Sequence, residues 1–97
     1  MATLPTIVLS GELDMYEAPA VRAALAALEG PGVVDLTAVT YIDSSALSEL
    51  ARLARRVGLR EITLVVTSSK VRRIFTIVGF DALFRIVDGN ADLSVTA

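Results

Sequence analysis

The stretch Val33–Val66, VVDLTAVTYIDSSALSELARLARRVGLREITLVV, carries the pattern from which the fold is read. It opens on Val33-Val34-Asp35-Leu36, a short apolar strand, and closes on Ile62-Thr63-Leu64-Val65-Val66, a nearly continuous β-branched run and the clearest strand of the chain. Between them Leu47, Leu50, Ala51, Ala54 and Val57 paint one apolar stripe on a helix that starts at Ser44-Ser45 and runs to about Gly58. Arg52, Arg55 and Arg56 point away from that stripe and read as a solvated helix face rather than a docking patch. Two apolar strands joined by a helix predict a parallel pair with a right-handed crossover.

The flanks repeat the theme. Upstream, Thr6-Ile7-Val8-Leu9 reads as a buried strand closed by a turn at Ser10-Gly11. Asp14 and Glu17 have capping-box spacing, with Asp in place of Ser or Thr, and Pro19 falls in the first turns of the helix they announce. Ala18, Val21, Leu25 and Leu28 form its apolar face, Arg22 and Glu29 lie elsewhere, and Gly30-Pro31 ends it. Downstream, Ser68 or Ser69 caps a helix carrying Val71, Ile74, Phe75 and Val78, with Gly79 as its stop. A last strand around Phe84-Arg85-Ile86-Val87 precedes a turn at Asp88-Gly89, and the stripe of Phe75, Val78, Phe80 and Phe84 reads as core. The expectation is an α/β fold: one domain over residues 1–97, built on a mostly parallel sheet of about four to five strands with helices packed against it.

Composition narrows the function. Hydrophobic residues make up 54% of 97, enough for a core without a staple. The chain has no Cys and no His, so disulfides, the usual zinc sites, the Ser-His-Asp triad and His acid–base chemistry cannot be built; no enzymatic activity, cofactor or metal is expected. Glu12, Asp14 and Asp35 could gather at one end of the sheet, but turn and capping roles already explain them. A net charge of −2 with arginines offset by acids gives no basic stripe for nucleic acid. No apolar run approaches the roughly 18 to 20 residues that span a bilayer, and the first residues lack the pattern of a signal peptide, so a cytoplasmic protein without direct membrane insertion is expected.

Three segments together resemble the STAS family, the domain of bacterial anti-sigma factor antagonists. They are Ser10–Asp14 with Ala18–Leu25, the run Val34–Leu47 with Asp43-Ser44-Ser45-Ala46-Leu47 at its end, and Val71–Phe75 with Gly79–Phe84. The second is the specific one, similar to the family's Asp-Ser-Ser-Gly-Leu helix start. Ala46 stands where the family usually has Gly, which bears on how closely a partner's backbone can approach. Family members also commonly carry an extra N-terminal strand and a longer C-terminal helix, so a reduced edge strand or final helix is expected here.

What the resemblance implies is a binding module. The phosphorylated serine of the family falls on Ser44, with Ser45 as the alternative, and the partner-binding surface on Asp14, Asp43, Ser44, Ser45 and Ala46. The implied partner is an anti-sigma factor with serine-kinase activity, bound by the unmodified form so that a sigma factor is released; the chain itself would be a monomer or weak dimer. From the residues alone, Ser44 lies at a loop-to-helix junction, where a hydroxyl is reachable; the serine pair could equally serve as helix caps, as could Asp43. A phosphoryl group would add about −1.5 to −2 charges, taking the net charge from −2 to roughly −4. A different role carried by related domains, accessory subunit of an ABC-type lipid transporter without phosphorylation, is the alternative.

Overall fold

Along the chain, strands and helices alternate as β1 (Thr6–Leu13), α1 (Ala18–Leu25), β2 (Gly32–Ile42), α2 (Ser44–Val57), β3 (Ile62–Val66), α3 (Ser69–Ile77) and β4 (Arg85–Asp88), with a short 3-10 helix at Phe80–Ala82 before β4. The computed structural model describes residues 3–89. The four strands form one wholly parallel sheet in the order β1-β2-β3-β4. Because every crossover steps one strand in the same direction and is right-handed, the three helices fall on one face.

That face holds the core. Val34, Leu36, Ile62, Leu64 and Val66 of the sheet are buried beneath Val21 and Leu25 of α1, Leu50 and Leu53 of α2, and Val71 and Phe75 of α3. Phe75, Phe80 and Phe84 close one end, with ring centroids 5.3 and 5.1 Å apart. Each such side chain contributes about 1.5–3 kcal/mol by leaving water. Val78, expected in this stripe, instead lies exposed at the end of α3, where the left-handed Gly79 (φ 81°) turns the chain away. On the opposite sheet face Val33 and Val87 are half-buried and Val8 is 66% exposed, so β1 is a half-open edge strand and not the buried one its composition suggested.

Both β1 and β2 run further than expected. β1 does not turn at Ser10-Gly11 but continues to Leu13, and β2 does not end at Leu36 but continues to Ile42. The register passes from Val8↔Asp35 to Ser10↔Ala38 and from Gly11↔Val39 to Glu12↔Tyr41, so β2 carries an extra residue at two places. These bulges space the buried residues Leu36, Val39 and Ile42 three apart, which hides the two-residue period of a strand. Asp35 holds the first bulge by accepting the Thr37 N–H at Oδ1 (2.9 Å). Gly11, at φ 79°, sits at the second, in a conformation that costs glycine little.

Further differences concern the helices. α1 ends at Leu25, short of Gly30-Pro31, and Arg56 donates to its last carbonyl, Leu25 O (3.1 Å), and to Leu28 O (2.6 Å) in the turn that follows. Arg52, Arg55 and Arg56 are all exposed, as the solvated face requires, and Arg56 in addition clamps the C-terminal end of α1. Among the described residues no strand precedes β1, and the expectation of a reduced final helix concerns positions that lie outside the described residues.

Candidate functional site at the start of α2

β1 and β2 finish level with each other, Leu13 opposite Ile42, and the Asp43 N–H donates to Leu13 O (3.1 Å). Asp14 and Asp43 thus leave the sheet together at its carboxyl edge, the end where open α/β sheets place their sites. Asp14 shapes the β1–α1 turn: its Oδ1 accepts the N–H groups of Tyr16 (3.0 Å) and Glu17 (3.2 Å). This is one arm of the expected capping box; the turn at 15–17 separates it from α1, and no side chain caps α1 itself.

Asp43 is the cap of α2. Its backbone is extended (φ −113°, ψ −177°), its Oδ1 accepts Ser45 N–H (2.9 Å) and Ala46 N–H (3.3 Å), and its carbonyl accepts Leu47 N–H (3.0 Å). The first-turn donors that a serine hydroxyl could have satisfied are thus already taken. Ser44 is exposed and Ser45 half-buried, and neither hydroxyl hydrogen-bonds another described residue; Ser44 contributes its carbonyl, to the Ser48 hydroxyl (2.9 Å). The same end of the sheet carries exposed apolar and aromatic side chains, Met15, Tyr16 and Tyr41, the second 84% exposed. Glu12 and Glu17 add exposed negative charge at the same edge.

Four of the five residues expected at a partner surface therefore meet at one edge: Asp14, Asp43, Ser44 and Ser45. The fifth does not. Ala46 is fully buried, its methyl packed into the core one residue past the serines, so no partner touches that side chain. Nor do the three carboxylates gather: Asp35 lies opposite Val8 in the middle of β2, well before Glu12 and Asp14. Among the described residues no group of three or more His, Cys, Asp or Glu side chains is placed to hold a metal ion.

One element of the helix layer escaped the sequence pattern. Arg22 forks onto Glu49, donating from Nε to Oε1 (3.0 Å) and from Nη2 to Oε2 (2.7 Å), and Glu49 is only 7% exposed. The hydrogen bonds from Arg22 hold the Glu49 carboxyl below the usual carboxylate range, and in return raise Arg22. The signal was present: Glu49 sits between buried Ala46 and Leu50, and a carboxylate in that position requires a partner.

Comparison with known proteins places this arrangement. Residues 3–88 match the family described as "Mlab, STAS domain". An anti-sigma-B factor antagonist of Listeria monocytogenes is 31% identical over 94 residues, covering 91% of this chain and 82% of the relative; one from Listeria innocua matches equally. Among solved structures, an anti-sigma factor antagonist from Mycobacterium paratuberculosis superposes with a TM-score of 0.77 at 30% identity, over 94% of this chain and 81% of the other. The anti-sigma factor antagonist SpoIIAA in its unphosphorylated form shares the fold, with a TM-score of 0.64 at 20% identity over 99% of this chain and 91% of that one. With the parallel four-stranded sheet, the Asp-capped serine pair and these matches together, the chain belongs to the STAS domain family.

Proposed function

We propose that this chain is an anti-sigma factor antagonist whose unmodified form docks an anti-sigma factor kinase through the Asp14 and Asp43–Ser45 edge, freeing a sigma factor. Phosphorylation of Ser44 then ends the association. In that step the Ser44 Oγ–P bond forms, the bond from the γ-phosphorus to the bridging oxygen of ATP breaks, ADP leaves, and the hydroxyl proton passes to a base of the kinase. The observation that carries the reading is the Ser44 hydroxyl itself: exposed, and relieved of capping duty by Asp43.

The electrostatics favour a switch of binding over a switch of folding. At a helix N-terminus a phosphoryl group gains roughly 0.3–1 kcal/mol from the macrodipole, and Asp43, next in sequence, opposes it. The domain survives that balance. A partner pressed onto the same edge must bury a dianion beside Asp43 and Asp14, at a cost of several kcal/mol. Met15, Tyr16 and Tyr41 supply the apolar contact that the unmodified surface offers.

Binding of wild type, Ser44→Ala and Ser44→Asp to a purified anti-sigma factor kinase, measured by calorimetry, tests the reading. Wild type and Ser44→Ala should bind alike and Ser44→Asp about 100-fold or more weakly. Equal binding by Ser44→Asp refutes the switch. Failure of all three, with recovery of the chain on a transporter ATPase instead, refutes the role.

A further inference from the structure

α1 and α2 lie side by side on the sheet, and the groove between them, about 370 Å³, collects three of the chain's nine cations: Arg22, Arg52 and Arg56. Glu49 is the one carboxylate in its lining, which leaves two positive charges uncompensated in a chain whose net charge is −2. Two of the guanidiniums are fixed in place. Arg22 spends Nε and Nη2 on Glu49, and Arg56 spends Nη1 and Nη2 on the carbonyls of Leu28 and Leu25. Arg22 Nη1 and Arg56 Nε make no hydrogen bond to a described residue, and neither does any atom of the Arg52 guanidinium, one helical turn before Arg56. Leu25 and Leu53 form the apolar floor.

We propose that this groove is a binding site for a small phosphomonoester with an apolar body. The dianionic head matches the two unbalanced charges, and the one uncommitted fork, that of Arg52, is suited to the oxygens of a phosphoryl group, with Arg22 Nη1 and Arg56 Nε as single further donors. The body lies on the leucine floor and the arginine stems. Its size falls in the range of small-molecule sites, roughly 300–1,000 Å³. α1, with eight residues and so roughly 12 Å long, is too short to seat a docked helix. The site is separate from the Ser44 edge and does not rest on the function proposed above.

Titration of the isotope-labelled protein by NMR, following the arginine Nε–H and backbone signals, tests it with phenyl phosphate as the probe, inorganic phosphate as the bare head and benzyl alcohol as the bare body. Saturable shifts at Arg22, Arg52 and Arg56 are expected with phenyl phosphate, weaker ones with inorganic phosphate and none with benzyl alcohol. Arg52→Gln, at an exposed position, should keep its melting temperature and bind phenyl phosphate about tenfold less tightly. Vesicles carrying phosphatidic acid form a second arm: sedimentation that Arg52→Gln abolishes places the ester on a lipid, and no sedimentation places it in solution. Absence of saturation up to about 10 mM phenyl phosphate, or equal shifts in Arg52→Gln, overturns the proposal.

Discussion

Helices α2 and α3 begin alike and differ in the side chain that caps them. Each follows a strand, each has a capping residue in extended conformation, Asp43 or Ser68, and each shows an exposed serine at its first position, Ser44 or Ser69. At α3 the Ser68 hydroxyl does the capping, accepting Val71 N–H (3.2 Å). At α2 a carboxylate does it and takes two N–H groups, which leaves two adjacent hydroxyls, Ser44 and Ser45, outside the capping network. The charges around them differ too. Lys70, Arg72 and Arg73 follow Ser69, whereas Asp43, Asp14, Glu12 and Glu17 share the edge with Ser44. A phosphoryl group at Ser69 would be compensated, and one at Ser44 would not. On the function proposed above, the serine that switches binding is the one whose neighbours leave the new charge unpaired.

The largest effect that could break this contrast is on binding. Ser44→Asp should weaken association with the kinase about 100-fold or more, while Ser69→Asp should change it less than about twofold; equal losses would remove the distinction between the two helices. Next come the caps. Asp43→Ala and Ser68→Ala should each cost about 1 kcal/mol, read as a fall in melting temperature of roughly 4–8 °C for a domain of this size. A smaller effect concerns Glu49. Its folded pKa lies below its unfolded value, so the stability it supplies is complete above the ordinary carboxylate range and is lost as pH falls through that range towards the folded value. Urea midpoints at about pH 7 and about pH 4 should therefore diverge more in wild type than in Glu49→Gln. The smallest is Ser44→Ala, expected to shift stability by less than about 0.5 kcal/mol, because that hydroxyl supports nothing in the fold.

The parts of this molecule that were legible in its sequence are those where local pattern and tertiary structure agree. β3 was clear from its unbroken β-branched run, α2 from a stripe ending at about Gly58, and the α3 cap to within Ser68 or Ser69, of which Ser68 fills the role. β1 and β2 were truncated in the reading because two bulges impose a three-residue spacing on Leu36, Val39 and Ile42, and periodicity cannot register an inserted residue without its partner strand. The site was legible in its residues, since Asp43, Ser44 and Ser45 stand together in the chain. What each does was not, because Asp43, Ser44 and Ser45 are all acceptable caps and only the hydrogen bonds choose between them. Ala46 was misplaced for a related reason. One residue along a helix is a rotation of about 100°, which turns its methyl from the edge into the core. The Arg22–Glu49 fork joins residues 27 positions apart, beyond the reach of any local pattern.

The most direct test of the central claim is to incubate the wild-type chain with an anti-sigma factor kinase and ATP, map the modified residue by mass spectrometry, and record the melting temperature and kinase affinity of the product. A single phosphoryl group on Ser44, a folded domain with a nearly unchanged melting temperature, and lost affinity are the expected result. A phosphoryl group on neither Ser44 nor Ser45, or a phosphorylated chain that still binds as the unmodified one does, would contradict it.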